Sequence, residues 1–141
     1  MKRSASAVWT GDLKGGKGQI SSESGVLENS QYSFSTRFEE GKGTNPEELI
    51  AAAHAGCYSM ALSNELAGAG LSPESVETRA SVTLDKVEEG FAITKIHLDV
   101  KAKVPGASKD DFDAAADRAK TGCPVSKLMK AEITLESQLE S

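Results

Sequence analysis

With 141 residues and 14.8 kDa, the chain has the length of one ordinary domain, and residues 1–141 are expected to fold as one. Sixteen Lys and Arg against 21 Asp and Glu leave a formal charge of −5, and no dense basic cluster stands out, which argues against nucleic acid or an anionic membrane as a partner. No run approaches the roughly 18 apolar residues of a membrane-spanning helix. No apolar segment of a secretory signal follows the basic tip Met1-Lys2-Arg3, so the expected compartment is the cytosol.

Only 5% of the residues are aromatic, so a core must rest on Ala, Val, Ile and Leu, and a partner subunit is expected to help complete it. In chain order, Ala5–Thr10 and Lys17–Ser21 are strand candidates joined by a Gly-rich turn. That turn lacks the Gly-Lys-Ser/Thr ending of a phosphate loop, and a helix pattern does not follow it, so a hairpin is expected. From Gln31 to Phe38 the residues alternate, with Tyr32, Phe34 and Phe38 on one face and Ser33, Ser35 and Arg37 on the other, which predicts a strand.

The period then changes. Asn45-Pro46-Glu47-Glu48 reads as an N-cap, a first-turn proline and two carboxylates at the positive end of a helix dipole. The helix is expected to run to Gly68 or Gly70, to span about 30 Å, and to be buried, because it is apolar almost all round. Val76 to Leu84 alternates, and a Glu88-Glu89-Gly90 turn leads into Phe91–Val104. A phase slip between Ile93 and Ile96 predicts a bulge. Phe112, Ala115, Ala116 and Ala119 mark a second helix, Pro124 starts a further turn, and Ala131 to Leu139 alternates as a last strand. The fold class is α+β with antiparallel sheet.

Two cysteines do not make a disulfide framework in a cytosolic chain; either they are inert core residues or they do redox work. Cys57 lies within the apolar helix, where burial alone keeps a thiol protonated. Cys123 sits at a Gly-Cys-Pro turn, at or just before a helix N-terminus, where a thiolate is favoured. The redox reading is a peroxidatic and a resolving thiol: one cleaves an O–O bond and becomes a sulfenic acid, and the other condenses with it. Such a site needs a cation, and Arg37 is the best candidate, against its alternative as a solvated strand residue.

A carboxylate must then present the guanidinium as a fork. Glu47 is nearer than Glu48 in helical angle to Cys57, yet about 15 Å away along the axis, so it cannot serve Cys57 within one straight helix. A site shared between two chains is therefore predicted, against simple helix-start capping by Glu47. Two other chemistries stay open. His54 and Cys57 at i and i+3 permit a His-activated thiol, as in an acyl hydrolase. Together with Cys123 and His97 they permit a zinc site, although no C-x-x-C pair supports it, and His97 falls on a solvent-facing register. The plain alternative for His54 is a satisfied core or interface histidine. Tyr58, Met60, Phe34 and Phe38 are expected in the core, the alternative being that some line an apolar substrate pocket.

Thr36-Arg37-Phe38-Glu39, Gly43-Thr44-Asn45-Pro46-Glu47-Glu48-Leu49, Ala51-Ala52-Ala53-His54-Ala55-Gly56-Cys57 and Gly122-Cys123-Pro124-Val125-Ser126 together resemble the OsmC/Ohr family of thiol peroxidases. Their order and spacing are similar to those of its OsmC branch. The resemblance implies an OsmC-like fold with antiparallel sheets around long central helices, in an intertwined homodimer with active sites at the subunit interface. It implies that Cys57 is peroxidatic and Cys123 resolving through an intramolecular disulfide, that Arg37 holds the thiolate, and that Glu47 orients the arginine. It further implies organic hydroperoxides as substrates, a dithiol reductant of the lipoyl type, a role in oxidative or osmotic stress, and no metal or prosthetic group.

Overall fold

A computed structural model describes residues 1–140, which form six strands and four helices in the order β1 (Ala5–Thr10), β2 (Lys17–Ser22), β3 (Ser30–Tyr32), α1 (Phe34–Phe38), α2 (Pro46–Gly68), β4 (Ser75–Val87), β5 (Gly90–Lys103), α3 (Lys109–Gly122), α4 (Pro124–Leu128) and β6 (Glu132–Glu140). They divide into two compact units, Met1–Leu49 and Ile50 onward, with the boundary inside α2.

In the first unit β1, β2 and β3 make an antiparallel sheet in that order. The Gly-rich segment is the expected hairpin turn, held by the Gly15 amide donating to Asp12 Oδ1 at 2.7 Å. Gly18 pairs with Trp9 on one side and Tyr32 on the other, and a Cβ there would collide with both rings, so only glycine fits.

The strand expected over Gln31–Phe38 ends at Tyr32, and the residues after it form the single helical turn α1. Ser33 and Thr36 make a reciprocal capping box: Ser33 Oγ accepts from the Thr36 amide at 3.2 Å, and Thr36 Oγ1 accepts from the Ser33 amide at 2.8 Å. Phe34 and Phe38, two residues of one strand face in the alternating reading, are also i and i+4 on a helix, and their rings meet at 4.9 Å. The cap decides between the two periods.

In the second unit β4 and β5 pair antiparallel. The predicted bulge is present: Thr83 pairs with Lys95 but Leu84 with Ile93, leaving Thr94 as the extra residue. β6 joins the other edge of β5 in parallel, so the sheet is mixed where an antiparallel one was expected. The reason lies in the connection: α3 and α4 carry the chain back to the end of the sheet where β5 began, a crossover that a hairpin cannot make.

The core of this unit gathers Tyr58, Leu62 and Leu66 from α2, the inward face of β5 from Ile96 to Ala102 with Val104 beyond it, and Phe112, Ala115, Ala116 and Ala119 from α3. Fully burying each of the Leu, Ile, Val and Phe side chains among them is worth about 1.5–3 kcal/mol, and each alanine less. Burial pushes the Tyr58 phenol up, and its hydroxyl donates to the Ala116 carbonyl at 2.9 Å. Helix α2 is not buried all round. His54, Tyr58, Leu62 and Leu66 recur every four residues on the inward side, whereas Ala52, Ala53, Gly56 and Met60 are exposed. Met60, expected in the core, is 77% exposed in the single chain. Among the described residues no helix is long and apolar enough to cross a membrane.

Candidate active site

The four residues that the sequence singles out fall into two pairs. In the first unit Arg37, on α1, meets Glu47, in the first turn of α2, through a two-pronged contact: Nε donates to Oε1 at 2.9 Å and Nη2 to Oε2 at 3.0 Å. Local geometry aligns them. The capping box starts α1 at Ser33, Asn45 Nδ2 donates to the Thr36 carbonyl at 2.9 Å, and Asn45 Oδ1 accepts from the Glu48 amide at 2.7 Å. Asn45 therefore caps α2 and ties it to α1 at once. Glu47 is nearly buried while the Arg37 side chain is 39% exposed, so the paired guanidinium still faces outward. The guanidinium carbon also lies 5.4 Å from the centre of the Phe38 ring. Glu48, the other carboxylate considered, accepts instead from Thr44 Oγ1.

Beside Arg37 the same unit holds a cavity of about 210 Å³ lined by Trp9, Leu13, Tyr32, Ser33, Phe34 and Phe38. Trp9 and Tyr32 carry no functional signal in the sequence; cross-strand pairing through Gly18 brings them there, and an aromatic pair opposite a strand glycine is the pattern that could have revealed it.

The second unit holds the sulfurs. Cys57 on α2 and Cys123, the residue between α3 and α4, are both free thiols 66 residues apart in sequence, with Sγ atoms 2.8 Å from each other. Cys123 ends α3 by donating its amide to the Ala119 carbonyl, and Pro124 starts α4 immediately after it. Cys123 is fully buried, and Cys57 half-buried. Burial pushes the Cys57 thiol up, contact with Cys123 pushes it the same way, and the Val125 amide draws it part of the way back. None of these influences is a cation, and a positive charge brought to this sulfur would favour its thiolate.

His54 does not activate Cys57. Its ring is buried, with Nε2 2.8 Å from Ser126 Oγ, and Nδ1 is without a partner among the described residues. The Cys57–His54 dyad of an acyl hydrolase is therefore not formed. His97 bonds to Thr134 Oγ1 on the outer side of the sheet, and the described residues hold no cluster of three or more His, Cys, Asp or Glu side chains able to share a metal ion. Ser126, the last residue of the Gly122–Ser126 motif, has no role legible in the sequence, because a single serine in a five-residue helix leaves no periodic signal.

Burial lowers the His54 pKa, so the native state keeps this imidazole neutral at pH values where an unfolded histidine, titrating near 6.5, takes up a proton. Stability from this residue is complete above 6.5 and declines as pH falls towards the lowered native value. Urea unfolding at pH 7.5, 6.5 and 5.5 should show that decline in the native chain and a shallower one in His54→Gln. Equal slopes in the two proteins would refute the assignment.

The model of the OsmC family, described as OsmC-like protein, matches residues 39–138. The chain is 59% identical over 135 residues to the peroxiredoxin OsmC of Escherichia coli K12, an alignment covering 96% of this chain and 94% of that protein. Among solved structures, an OsmC-like protein of unknown function from Vibrio cholerae superposes with a TM-score of 0.78 at 18% identity over 98% of this chain and 99% of that one. The organic hydroperoxide resistance protein OhrB of Bacillus subtilis superposes with a TM-score of 0.68 at 24% identity, covering 97% of this chain and 98% of that one. At these identities the two structures establish the α+β fold, and the sequence matches establish descent: this chain belongs to the OsmC family.

Proposed function

We propose that this protein is a cysteine-based peroxidase that reduces organic hydroperoxides to alcohols. The observation that carries the reading is the 2.8 Å approach of two free thiols, one half-buried and one buried. The family name shared with the E. coli peroxiredoxin supports the same chemistry. The Cys57 thiolate attacks the terminal oxygen of the hydroperoxide. The O–O bond breaks, the alkoxide leaves and takes a proton to become the alcohol, and Cys57 becomes a sulfenic acid. Cys123 sulfur then attacks the sulfenic sulfur, the S–O bond breaks, and the leaving hydroxide takes up the thiol proton as water. The resulting Cys57–Cys123 disulfide is reopened by a dithiol, for which a lipoyl group is a suitable donor.

Arg37 supplies the missing cation. Glu47, in the first turn of α2, stands ten residues before Cys57 on the same helix, about 15 Å of axial rise. The Arg37–Glu47 pair of one chain therefore serves Cys57 of a second copy, in a homodimer seated on the exposed small-residue face of α2 around Ala52, Ala53 and Gly56. Small side chains there permit close backbone approach, and the cytosol keeps both thiols reduced until peroxide arrives. The aromatic cavity beside Arg37 supports a substrate with a carbon tail over hydrogen peroxide, which has no apolar surface to bury.

The test is a titration of the reduced protein with cumene hydroperoxide, counting free thiols. Two thiols per chain should be lost at one equivalent of oxidant, without crosslinks between chains. Retention of both thiols would reject the peroxidase, and crosslinked chains would reject the intramolecular disulfide.

A further inference from the structure

The hydrogen bond between His54 and Ser126 brackets the sulfur pair. His54 lies three residues before Cys57 on α2, one turn away on the same side, and Ser126 lies three residues after Cys123 on α4. The two elements are thus joined twice in parallel, by sulfur against sulfur at 2.8 Å and by imidazole Nε2 against hydroxyl at 2.8 Å. Helix α4 has five residues, too few to hold its own shape; Val125 packs half-buried against the core, but the one side chain α4 buries is a serine. That serine is spent on a fully buried imidazole whose second nitrogen has no partner among the described residues. Leaving a buried polar atom unsatisfied is costly, and packing alone would be served better by an apolar pair.

We propose that the His54–Ser126 hydrogen bond positions the resolving thiol, docking α4 on α2 so that Cys123 stays within bonding reach of Cys57 after oxygen transfer. The proposal rests on the peroxidase reading and adds two positioning residues to it. Neither His54 nor Ser126 touches the hydroperoxide. Both act on the second chemical step, where S–S forms, S–O breaks, and the Cys123 proton leaves with the hydroxide as water. Misplacing one sulfur by about 1 Å is enough to slow such a closure by roughly 100-fold, because two groups held in register react far faster than two that must find each other. Docked α4 touches the first step only through the Val125 amide and the Cys123 contact, which push the Cys57 thiol in opposite directions, so losing both together leaves that step little changed.

The experiment separates the two steps in full-length protein. Reduced wild type, Ser126→Ala, Ser126→Thr and His54→Gln are mixed with one equivalent of cumene hydroperoxide. Hydroperoxide loss reports the first step. Dimedone trapping with mass spectrometry reports the sulfenic acid, and quenched alkylation reports disulfide closure. In Ser126→Ala, closure should slow about 10- to 100-fold and trappable sulfenic acid should accumulate, with hydroperoxide loss within about twofold of wild type. Ser126→Thr, which keeps the hydroxyl, should restore closure, and His54→Gln, which keeps a donor nitrogen but not the ring, should fall between. Wild-type closure in Ser126→Ala, or an equal slowing of both steps, overturns the positioning role, as does a threonine variant that melts like wild type but closes like alanine. If Ser126→Ala does not fold, a His54→Gln variant with the wild-type rate of closure overturns it equally. Failure of wild type itself to form a Cys57 sulfenic acid rejects the peroxidase reading beneath it, and the wild-type arm tells that failure apart.

Discussion

Replacing Cys57 by serine should abolish multiple turnover, lowering kcat/KM for cumene hydroperoxide by at least about 1,000-fold. The nucleophile must present an anionic, polarisable sulfur to an O–O bond, and a serine hydroxyl is neither ionised near neutral pH nor soft. The exchange leaves the surroundings nearly unchanged, since the Val125 amide can bond to oxygen as it does to sulfur and the site is half-buried. Stability should therefore stay close to wild type, and the lost activity will not reflect a lost fold. Coupled peroxidase assays and a thermal melt on the same preparation check both halves. Sustained turnover in Cys57→Ser would remove the mechanism entirely. The companion Cys123→Ser variant should still reduce about one equivalent of hydroperoxide and then stop, holding a sulfenic acid it cannot close.

The second large effect concerns Arg37. The influences on Cys57 within its own unit on balance raise its pKa, burial foremost, so at neutral pH the unassisted sulfur is mostly protonated. Arg37→Met removes the proposed guanidinium without adding a polar group. Activity should drop about 100- to 1,000-fold, the usual cost of deleting one charged donor from a reacting centre. The sign of the pH dependence follows from the thiolate. Without the cation Cys57 ionises at higher pH, so both peroxidase activity and alkylation by iodoacetamide should recover as pH rises. Arg37→Lys should rescue little, because an ammonium cannot fill both prongs of the Glu47 fork at 2.9 and 3.0 Å. Glu47→Gln keeps shape and loses charge, and should cost about tenfold through misorientation of the arginine. An alkylation profile for Arg37→Met superimposable on wild type would disconnect the arginine from the sulfur.

The assignment of Glu47 over Glu48 shows how far helical geometry reaches. Rise along α2 puts Glu47 about 15 Å from Cys57 of its own helix, from the residue numbers alone, but angle within one helix cannot choose a carboxylate proposed to serve another chain. The fork to Arg37 needed more. Arg37 was expected on a strand, and it sits on a helical turn because Ser33 and Thr36 satisfy one another's backbone. Tyr32, Phe34 and Phe38 fit period two; Phe34 and Phe38 equally fit a spacing of four. Over so short a stretch alternation cannot distinguish the two, and a capping hydrogen bond worth about 1 kcal/mol decides.

Local signals carried most of the elements. A side-chain cap at Asn45, glycines after α2, alternation in β4 and a phase slip at Thr94 all act within a few residues, and the chain obeys each of them. What lies across long sequence separations was decided only by the tertiary structure. The parallel seat of β6 depends on where α3 and α4 return the chain. The 2.8 Å approach of Cys57 and Cys123, and the matching bond of His54 to Ser126 across 72 residues, depend on α4 docking on α2. Hydrophobic periodicity records which face of an element is buried but not which other element covers it. That partner is set by the packing of the whole chain, where close contacts are chosen by volume and closure and leave no period in the sequence.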